Sequence, residues 1–196
     1  MSDPATERLA RRVDALGRSG LRIRRVEDWD GPALTGLISA AYDEYACGPL
    51  DPEVFDADLA RPATMARERG RSWWVVVHSG PEPTLVASVA HGPLRRPADA
   101  PATMELHRLY LAPDVRGLGL ATALLEGIVD EARRAGAAVL EAWSDTRLPD
   151  AHRRYLALGL LPTGDRRELG DPAGTTELRF ALPLAPSPAD APSDLV

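Results

Sequence analysis

The segment from Leu109 to Gly136 constrains the fold most, because it reads as the end of a strand, a glycine loop and an amphipathic helix. Residues 103–111 contain strand formers and neither Gly nor Pro, and Pro113 then ends the strand. In the helix that follows, apolar residues recur three and four positions apart, which predicts one buried face. These residues are Ala121, Leu124, Leu125, Ile128, Val129 and Ala132.

The loop between strand and helix contains Arg116, Gly117 and Gly119. The first N–H groups of a helix have no intrahelical partner and carry partial positive charge, so a glycine loop ahead of them predicts an anion site. The alternative is that the glycines only turn the chain. The loop has neither the three glycines of a dinucleotide-binding fingerprint nor the Lys-Ser/Thr pair of a nucleoside-triphosphate loop.

The pattern Arg116-x-x-Gly119-x-Ala121 resembles the Arg/Gln-x-x-Gly-x-Gly/Ala signature of the GCN5-related N-acetyltransferases, the GNAT family. In that family the loop cradles the pyrophosphate of acetyl-CoA. The resemblance therefore implies that acetyl-CoA is the co-substrate of this chain.

A second part of the chain resembles the same family. Residues 139–145 are similar to its fifth strand, and residues 151–164 to its helix with a tyrosine four residues before a Gly-aliphatic pair. Here that tyrosine is Tyr155. The two motifs occur in the family's order, and the resemblance spans about residues 21–182.

The resemblance implies an α+β, mixed α/β fold: a mixed, mostly antiparallel sheet of six to seven strands flanked by about four helices. Clustered strands with one strand-helix-strand crossover favour the same fold class. Strands are predicted at 21–26, 72–78, 84–91, 103–111, 139–145, 160–169 and 175–182. Helices are predicted at about 30–46, within 49–70 with a break near Pro62, from 121 and at 149–158.

Three segments follow from these patterns. Residues 1–20 form a leader that is either a short helix laid on the domain or mobile, residues 21–182 form the acetyltransferase domain, and the Pro- and Ala-rich residues 183–196 form a disordered tail. A chain of 196 residues is long enough to bury one core.

Composition excludes several classes of protein. The single cysteine, Cys47, excludes an internal disulfide and a cysteine-based metal site, and the scattered histidines predict no metal. The net charge of −6, with arginines mixed among carboxylates, argues against a nucleic-acid partner. No apolar run approaches a membrane span and the N-terminal sequence is polar, so a cytoplasmic protein is expected.

The resemblance implies that the pantetheine arm enters between the fourth and fifth strands. The cofactor-binding residues that it implies are Leu109, Tyr110, Leu111, Arg116, Gly117, Leu118, Gly119, Leu120, Ala121, Thr122, Asp145 and Tyr155. Asp145 departs from the family, which often has asparagine there. An ionised aspartate accepts hydrogen bonds but donates none, so Ser144 or a backbone group is an alternative for that contact.

Glu105 is the first candidate for the general base, because the resembled family often has a glutamate eleven residues before the Arg/Gln of the loop. The alternative is a solvated or ion-paired carboxylate. His107 is the second candidate. Strand alternation predicts that Glu105, His107 and Leu109 share one face of the sheet. It places Arg108 and Tyr110 on the other face.

The resemblance implies that Tyr155 donates a proton to the sulfur of CoA, and core packing is the alternative role. The expected acceptor is the primary amine of a small molecule, attacking in a ternary complex. An acidic, aromatic rim suits a cationic amine. Its residues are Tyr42, Asp43, Glu44, Tyr45, Asp51, Asp56, Asp58, Trp73 and Trp74.

Two other functions are compatible with the same sequence. One is a non-catalytic module that binds acyl-CoA, and the other is acetylation of a protein or peptide amine. The resemblance also admits a homodimer, since family members often pair, although no sequence feature marks an interface.

Overall fold

Among residues 3–184, seven strands form one open sheet in the order β1-β2-β3-β4-β5-β7-β6. The computed structural model describes residues 3–184. The strands are β1 Leu21–Arg25, β2 Ser72–His78, β3 Thr84–Leu94, β4 Thr103–Leu111, β5 Val139–Asp145, β6 Leu161–Glu168 and β7 Thr176–Pro183. Every neighbouring pair is antiparallel except β4 and β5, which are parallel. The predicted mixed, mostly antiparallel sheet is confirmed.

In the described part of the chain, five α-helices cover the two faces of this sheet. They are α1 Pro4–Asp14, α2 Gly31–Glu44, α3 Pro62–Glu68, α4 Leu120–Arg134 and α5 Pro149–Leu158. α1, α4 and α5 pack on one face around a core that includes Leu106, Leu124 and Leu140, and we call it the α4 face. α2 and α3 pack on the opposite face, the α2 face, around Leu34 and Val75. No helix among residues 3–184 is long and apolar enough to cross a membrane.

The first helix is part of the α4-face core. Asp3 caps α1, because its carboxylate accepts hydrogen bonds from the backbone N–H groups of Ala5 and Thr6. Leu9 and Val13 are fully buried against the sheet and α4. Of the two alternatives for the leader, the structure has the packed helix.

The acidic region ahead of β2 differs from its prediction. Residues 49–56 are not helical, because the carboxylates of Asp51 and Asp56 accept backbone N–H groups within this segment and fold it into turns. A 3₁₀ turn at Ala57–Ala60 follows. Pro62 does not break a helix there but begins α3, since the first helical position needs no N–H donor.

A bulge in β4 changes which side chains share a face. His107 is opposite Ala90 and Tyr110 is opposite Ser88, so two residues of β4 lie against one of β3. Arg108, at this bulge, has a φ of +52°. The bulge shifts the alternation by one residue.

The predicted faces of β4 are therefore wrong beyond His107. Arg108 and Tyr110 lie on the α2 face with His107, where Arg108 contacts Asp56 and Tyr110 packs beside the α2-face core. Leu109 turns to the α4 face.

The C-terminal strand runs further than predicted. Pro183 belongs to β7, and the N–H of Leu184 donates to the carbonyl of Ala138 at 2.8 Å. These two residues, expected in the tail, therefore continue the pairing of β7 with the β5 side of the sheet. The rest of the predicted tail lies outside the described residues.

Candidate active site

A cleft of about 820 Å³ opens where β4 and β5 separate. The two strands are paired only from Thr103 opposite Val139 to Leu106 opposite Ala142. The second half of β4, residues 107–111, has no partner on its β5 side among the described residues. Most of the predicted residues outside the glycine loop line this cleft: Glu105, His107, Leu109, Tyr110, Asp145 and Tyr155.

Glu105 is buried on the α2 face of β4, with 7% of its surface exposed. Burial raises the pKa of its carboxyl to about 7, because the charged form loses its hydration, although Arg167 and Arg71 partly oppose this shift. Its Oε2 lies 3.4 Å from Nε2 of His107. A buried carboxylate that titrates near neutrality can take up a proton at physiological pH.

His107 lies beside Glu105 but is a weaker base. Burial and the nearby guanidinium groups of Arg71 and Arg108 lower the pKa of its imidazole to about 3. The ring is therefore neutral at physiological pH, and its contact with Glu105 is a weak polar contact rather than an ion pair. The raised pKa of Glu105 and the lowered pKa of His107 favour Glu105 over His107 as the proton acceptor.

Tyr155 is held in α5 with its ring buried against Phe180, the ring centroids 5.4 Å apart. Burial raises the pKa of its phenol well above the ordinary value, and Ser144 beside it partly offsets this shift. The hydroxyl thus stays protonated and is available as a hydrogen-bond donor to a group in the cleft. The side chain packs in the core and also lines the cleft, so both proposed roles are compatible with its position.

The glycine loop lies at the far end of β4. Gly119, with a φ of +86°, is the residue before α4, and the first helical bond runs from the N–H of Ala123 to its carbonyl. The N–H groups of Leu120, Ala121 and Thr122 precede that bond and have no intrahelical partner. Gly117, followed by Leu118, also has a positive φ. These amides form a ready anion site at the start of a helix.

The arginine of the loop motif is bound to other parts of the chain. Its guanidinium donates to Oε1 of Glu44 in α2 at 2.7 Å and to the carbonyl of Leu111 at 3.1 Å. Arg116 thus ties the loop to α2 and to the end of β4. This side chain fixes the shape of the loop.

Asp145 is already engaged within the chain. Its carboxylate accepts the backbone N–H and the guanidinium of Arg147, with Nη2 at 2.7 Å. Arg147 also donates to Thr175 and to the carbonyl of Ala46, so it connects β5 to the end of α2 and to the segment before β7. No local sequence signal marks Arg147 as part of this site.

The predicted acidic, aromatic rim is only partly present. Asp56 and Asp58 line the cleft, but Arg108 binds both of them, with its Nη1 2.7 Å from Oδ1 of Asp56. Trp73 and Trp74 do not line it: each is buried, Trp73 in the α2-face core and Trp74 beneath α1. Their position in a strand that is covered on both faces explains the difference.

Comparison with known proteins agrees with this geometry. Residues 33–160, or 128 of 196, match the model of the Acetyltransferase (GNAT) family. A comparison with curated proteins gives no match.

Several solved structures share the fold at low sequence identity. yncA, a proposed acetyltransferase from Salmonella typhimurium solved with its cofactor acetyl-CoA, is 23% identical with a TM-score of 0.64, over 90% of this chain and 100% of that one. An N-acetyltransferase from Staphylococcus aureus Mu50 is 18% identical with a TM-score of 0.66, over 85% and 100%. A ribosomal-protein-alanine N-acetyltransferase from Brucella melitensis is 22% identical with a TM-score of 0.60, over 83% and 99%. With two thirds of its length matched by the family model, the chain belongs to the GNAT family of acetyltransferases.

Proposed function

We propose that the protein transfers the acetyl group of acetyl-CoA to the primary amine of a small molecule by direct attack in a ternary complex. One observation carries this proposal: the unpaired edge of β4, a buried carboxylate and a buried phenol line the same cleft. A module that only binds acyl-CoA needs no carboxylate whose pKa is raised to about 7, so Glu105 favours the enzyme.

The residues present fit acetyl-CoA, with which the Salmonella neighbour was solved. The amides at the start of α4 suit its pyrophosphate, since phosphate binds where helical N–H groups lack partners. The free edge of β4 from His107 to Leu111 offers backbone groups that suit the amides of its pantetheine arm. Bound there, acetyl-CoA supplies the thioester carbonyl that an amine attacks.

Three tasks fall to the protein. Glu105 accepts the proton that the acceptor ammonium must lose before it attacks, directly or through a water molecule. Backbone and side-chain donors in the cleft stabilise the developing oxyanion. The hydroxyl of Tyr155 donates a hydrogen bond to the departing thiolate, which stabilises the leaving group without full proton transfer.

The test is the shift in melting temperature that acetyl-CoA causes, because a ligand that binds only the folded state raises the apparent stability. Wild type is compared with Gly119→Glu, which puts a carboxylate among the amides. The matched control is Gly136→Glu at the other end of α4, where φ is also positive and no atom lies within 4 Å of an added Cβ.

The proposal predicts a clear shift in wild type and in the control, and none in Gly119→Glu. Release of free thiol with a panel of primary amines then measures turnover. Binding without turnover on any amine would favour the acyl-CoA-binding module, and turnover restricted to peptide amines would favour a protein acceptor. The absence of any shift at saturating acetyl-CoA would contradict the proposal.

A further inference from the structure

The side chain of Arg71 crosses β3 to reach the candidate base. Arg71 directly precedes β2, and its Cγ lies only 2.5 Å from where a Cβ on Gly92 would be. Gly92 is directly opposite Glu105 in the β3–β4 ladder, and cross-strand partners point to the same face. Arg71 therefore lies on the α2 face beside Glu105, and both residues line the cleft.

Three arginines lie near Glu105: Arg71, Arg108 and Arg167. Of these, Arg71 is the one whose guanidinium has no close partner among the described residues. Among residues 3–184 its guanidinium makes no side-chain hydrogen bond, and the nearest carboxylate oxygen, Oδ2 of Asp58, is 4.0 Å away. Arg108 already binds Asp58. Only 25% of the side chain of Arg71 is exposed, and no carboxylate of the described residues lies closer than 4.0 Å, so Asp58 and the nearby Glu105 compensate its charge only weakly.

The other two guanidinium groups near Glu105 are satisfied. Arg108 binds Asp56, Asp58 and the carbonyl of Phe55. Arg167 binds Glu177 and lies over the ring of Trp143. The exposed Arg69 lines the cleft as well and adds to the positive charge around Arg71. This corner of the cleft therefore suits an anion.

The phosphates of acetyl-CoA do not reach this corner. Glu105 and Leu111 are six residues apart along β4, which is about 20 Å in a strand, and the amides at the start of α4 follow Leu111. An anion at Arg71 must therefore belong to the acceptor.

We propose that the acceptor is a free amino acid, whose carboxylate binds Arg71 while its amine faces Glu105. This inference rests on the proposed function and names its substrate class. It replaces the expectation of a purely cationic amine, because Arg108 occupies the two carboxylates, Asp56 and Asp58, on which that expectation partly depended.

The same cleft offers room for an apolar side chain. Leu50, Val54 and Phe55 line it, and Val54 and Phe55 are exposed at 65% and 38%. Leucine and phenylalanine are therefore the first probes, each with its carboxamide and its decarboxylated amine, 3-methylbutylamine and phenethylamine. The members of each set differ only in the carboxylate.

The experiment measures kcat/KM for acetyl transfer to both sets. We expect the amino acids to exceed the carboxamides and amines by about 10- to 100-fold, the usual contribution of a hydrogen bond to a charged group. In Arg71→Gln the ratio of kcat/KM for the amino acids to kcat/KM for the amines falls by about the same factor. The ratio is the readout because loss of Arg71 also raises the pKa of Glu105, which affects both kinds of acceptor alike. Gly92→Ala acts in the same direction, because its methyl group displaces Arg71.

Arg67→Gln is the matched control, since it removes an exposed arginine of α3 that does not line the cleft. It leaves the preference for the carboxylate unchanged. Unfolding curves of each variant confirm that the fold is retained.

Wild type that acetylates the amines as well as the amino acids would overturn the inference and leave the proposed function intact. An unaltered preference in Arg71→Gln would also overturn it. If neither set is acetylated, leucine and phenylalanine are titrated calorimetrically into the complex of the protein with CoA. If neither amino acid binds there, the inference is overturned. Failure of the proposed function is recognised separately, by the absence of any acetyl-CoA shift.

Discussion

Two glutamates lie side by side in the middle of the sheet and have opposite surroundings. Glu105 of β4 and Glu141 of β5 are register partners, and both are buried. Oε2 of Glu141 forms ion pairs with Nη2 of Arg96 at 2.6 Å and with Nη2 of Arg179 at 2.7 Å. Within 4 Å and among residues 3–184, the carboxylate of Glu105 faces no arginine, only the neutral His107 at 3.4 Å.

The difference in surroundings indicates different roles: Glu141 belongs to a structural ion cluster, and Glu105 is a reactive group. A buried charge is stable only when it is paired, so Glu141 with two arginines fixes β5 against β7 and the segment after β3. Glu105 has no such partner and keeps a raised pKa instead. At Glu141 the chain supplies two arginines that neutralise the buried carboxylate. At Glu105, the neighbouring position in the sheet, the described part of the chain supplies no such ion pair.

The largest expected effect is on turnover in Glu105→Gln. We expect kcat to fall by about 10³-fold, as loss of a positioned general base usually costs 10²- to 10⁴-fold. The fold should be retained, because the change removes a buried charge. Steady-state kinetics measure this, with the exposed Glu168→Gln as the control. Wild-type turnover in Glu105→Gln would remove Glu105 from the mechanism.

Glu141→Gln should instead affect stability. It leaves Arg96 and Arg179 without a buried counter-charge, and breaking a buried pair costs about 3–5 kcal/mol of unfolding free energy. Denaturant unfolding measures this loss. If the variant is as stable as wild type, the ion cluster has no structural role and the contrast between the two glutamates fails.

The raised pKa of Glu105 also makes the stability of the fold depend on pH. The pKa of Glu105 is about 7 in the folded chain and 4.5 for an ordinary exposed glutamate, so the folded state binds more protons between these values. Glu105 therefore makes the unfolding free energy decline as pH rises from 4.5 to 7, by about 3 kcal/mol in all. Subtracting the curve of Glu105→Gln from that of wild type isolates this decline. A flat difference curve would contradict the raised pKa.

A smaller effect is expected for Tyr155→Phe. Loss of one hydrogen bond to a developing thiolate costs about 2 kcal/mol, or roughly 30-fold in kcat. The KM for acetyl-CoA should not change, since the ring and its packing on Phe180 remain. Comparison of both constants at saturating amine tests this, and an unaltered kcat would leave Tyr155 with a packing role only.

The fold, and the place of Glu105 and Tyr155 in the cleft, were predictable because their signals are local. The glycine loop, the spacing of α4 and the tyrosine ahead of Gly159 each lie within a short segment. These motifs brought Tyr155 and Glu105 into one site, because the family resemblance supplied the long-range arrangement that local patterns lack.

The bulge and the ion pairs had no such signal. Arg108, and not a glycine, adopts the positive φ at the bulge, so nothing in the sequence indicated the change of face. The pairing of Arg108 with Asp56 joins residues far apart in the chain and depends on the whole fold. Gly92 is a sequence feature that could have indicated the position of Arg71. A glycine inside a strand often marks the close approach of another group, and here that group is the side chain of Arg71.

The pH dependence of kcat/KM tests the central claim, that Glu105 is the base of this cleft, most directly. Burial raises the pKa of Glu105 to about 7, so the account predicts that kcat/KM of wild type rises with pH through an inflection near 7. In Glu105→Gln this inflection should be absent, and only the titration of the acceptor amine at higher pH remains. The same inflection near 7 in both proteins would assign it to another group and contradict the account.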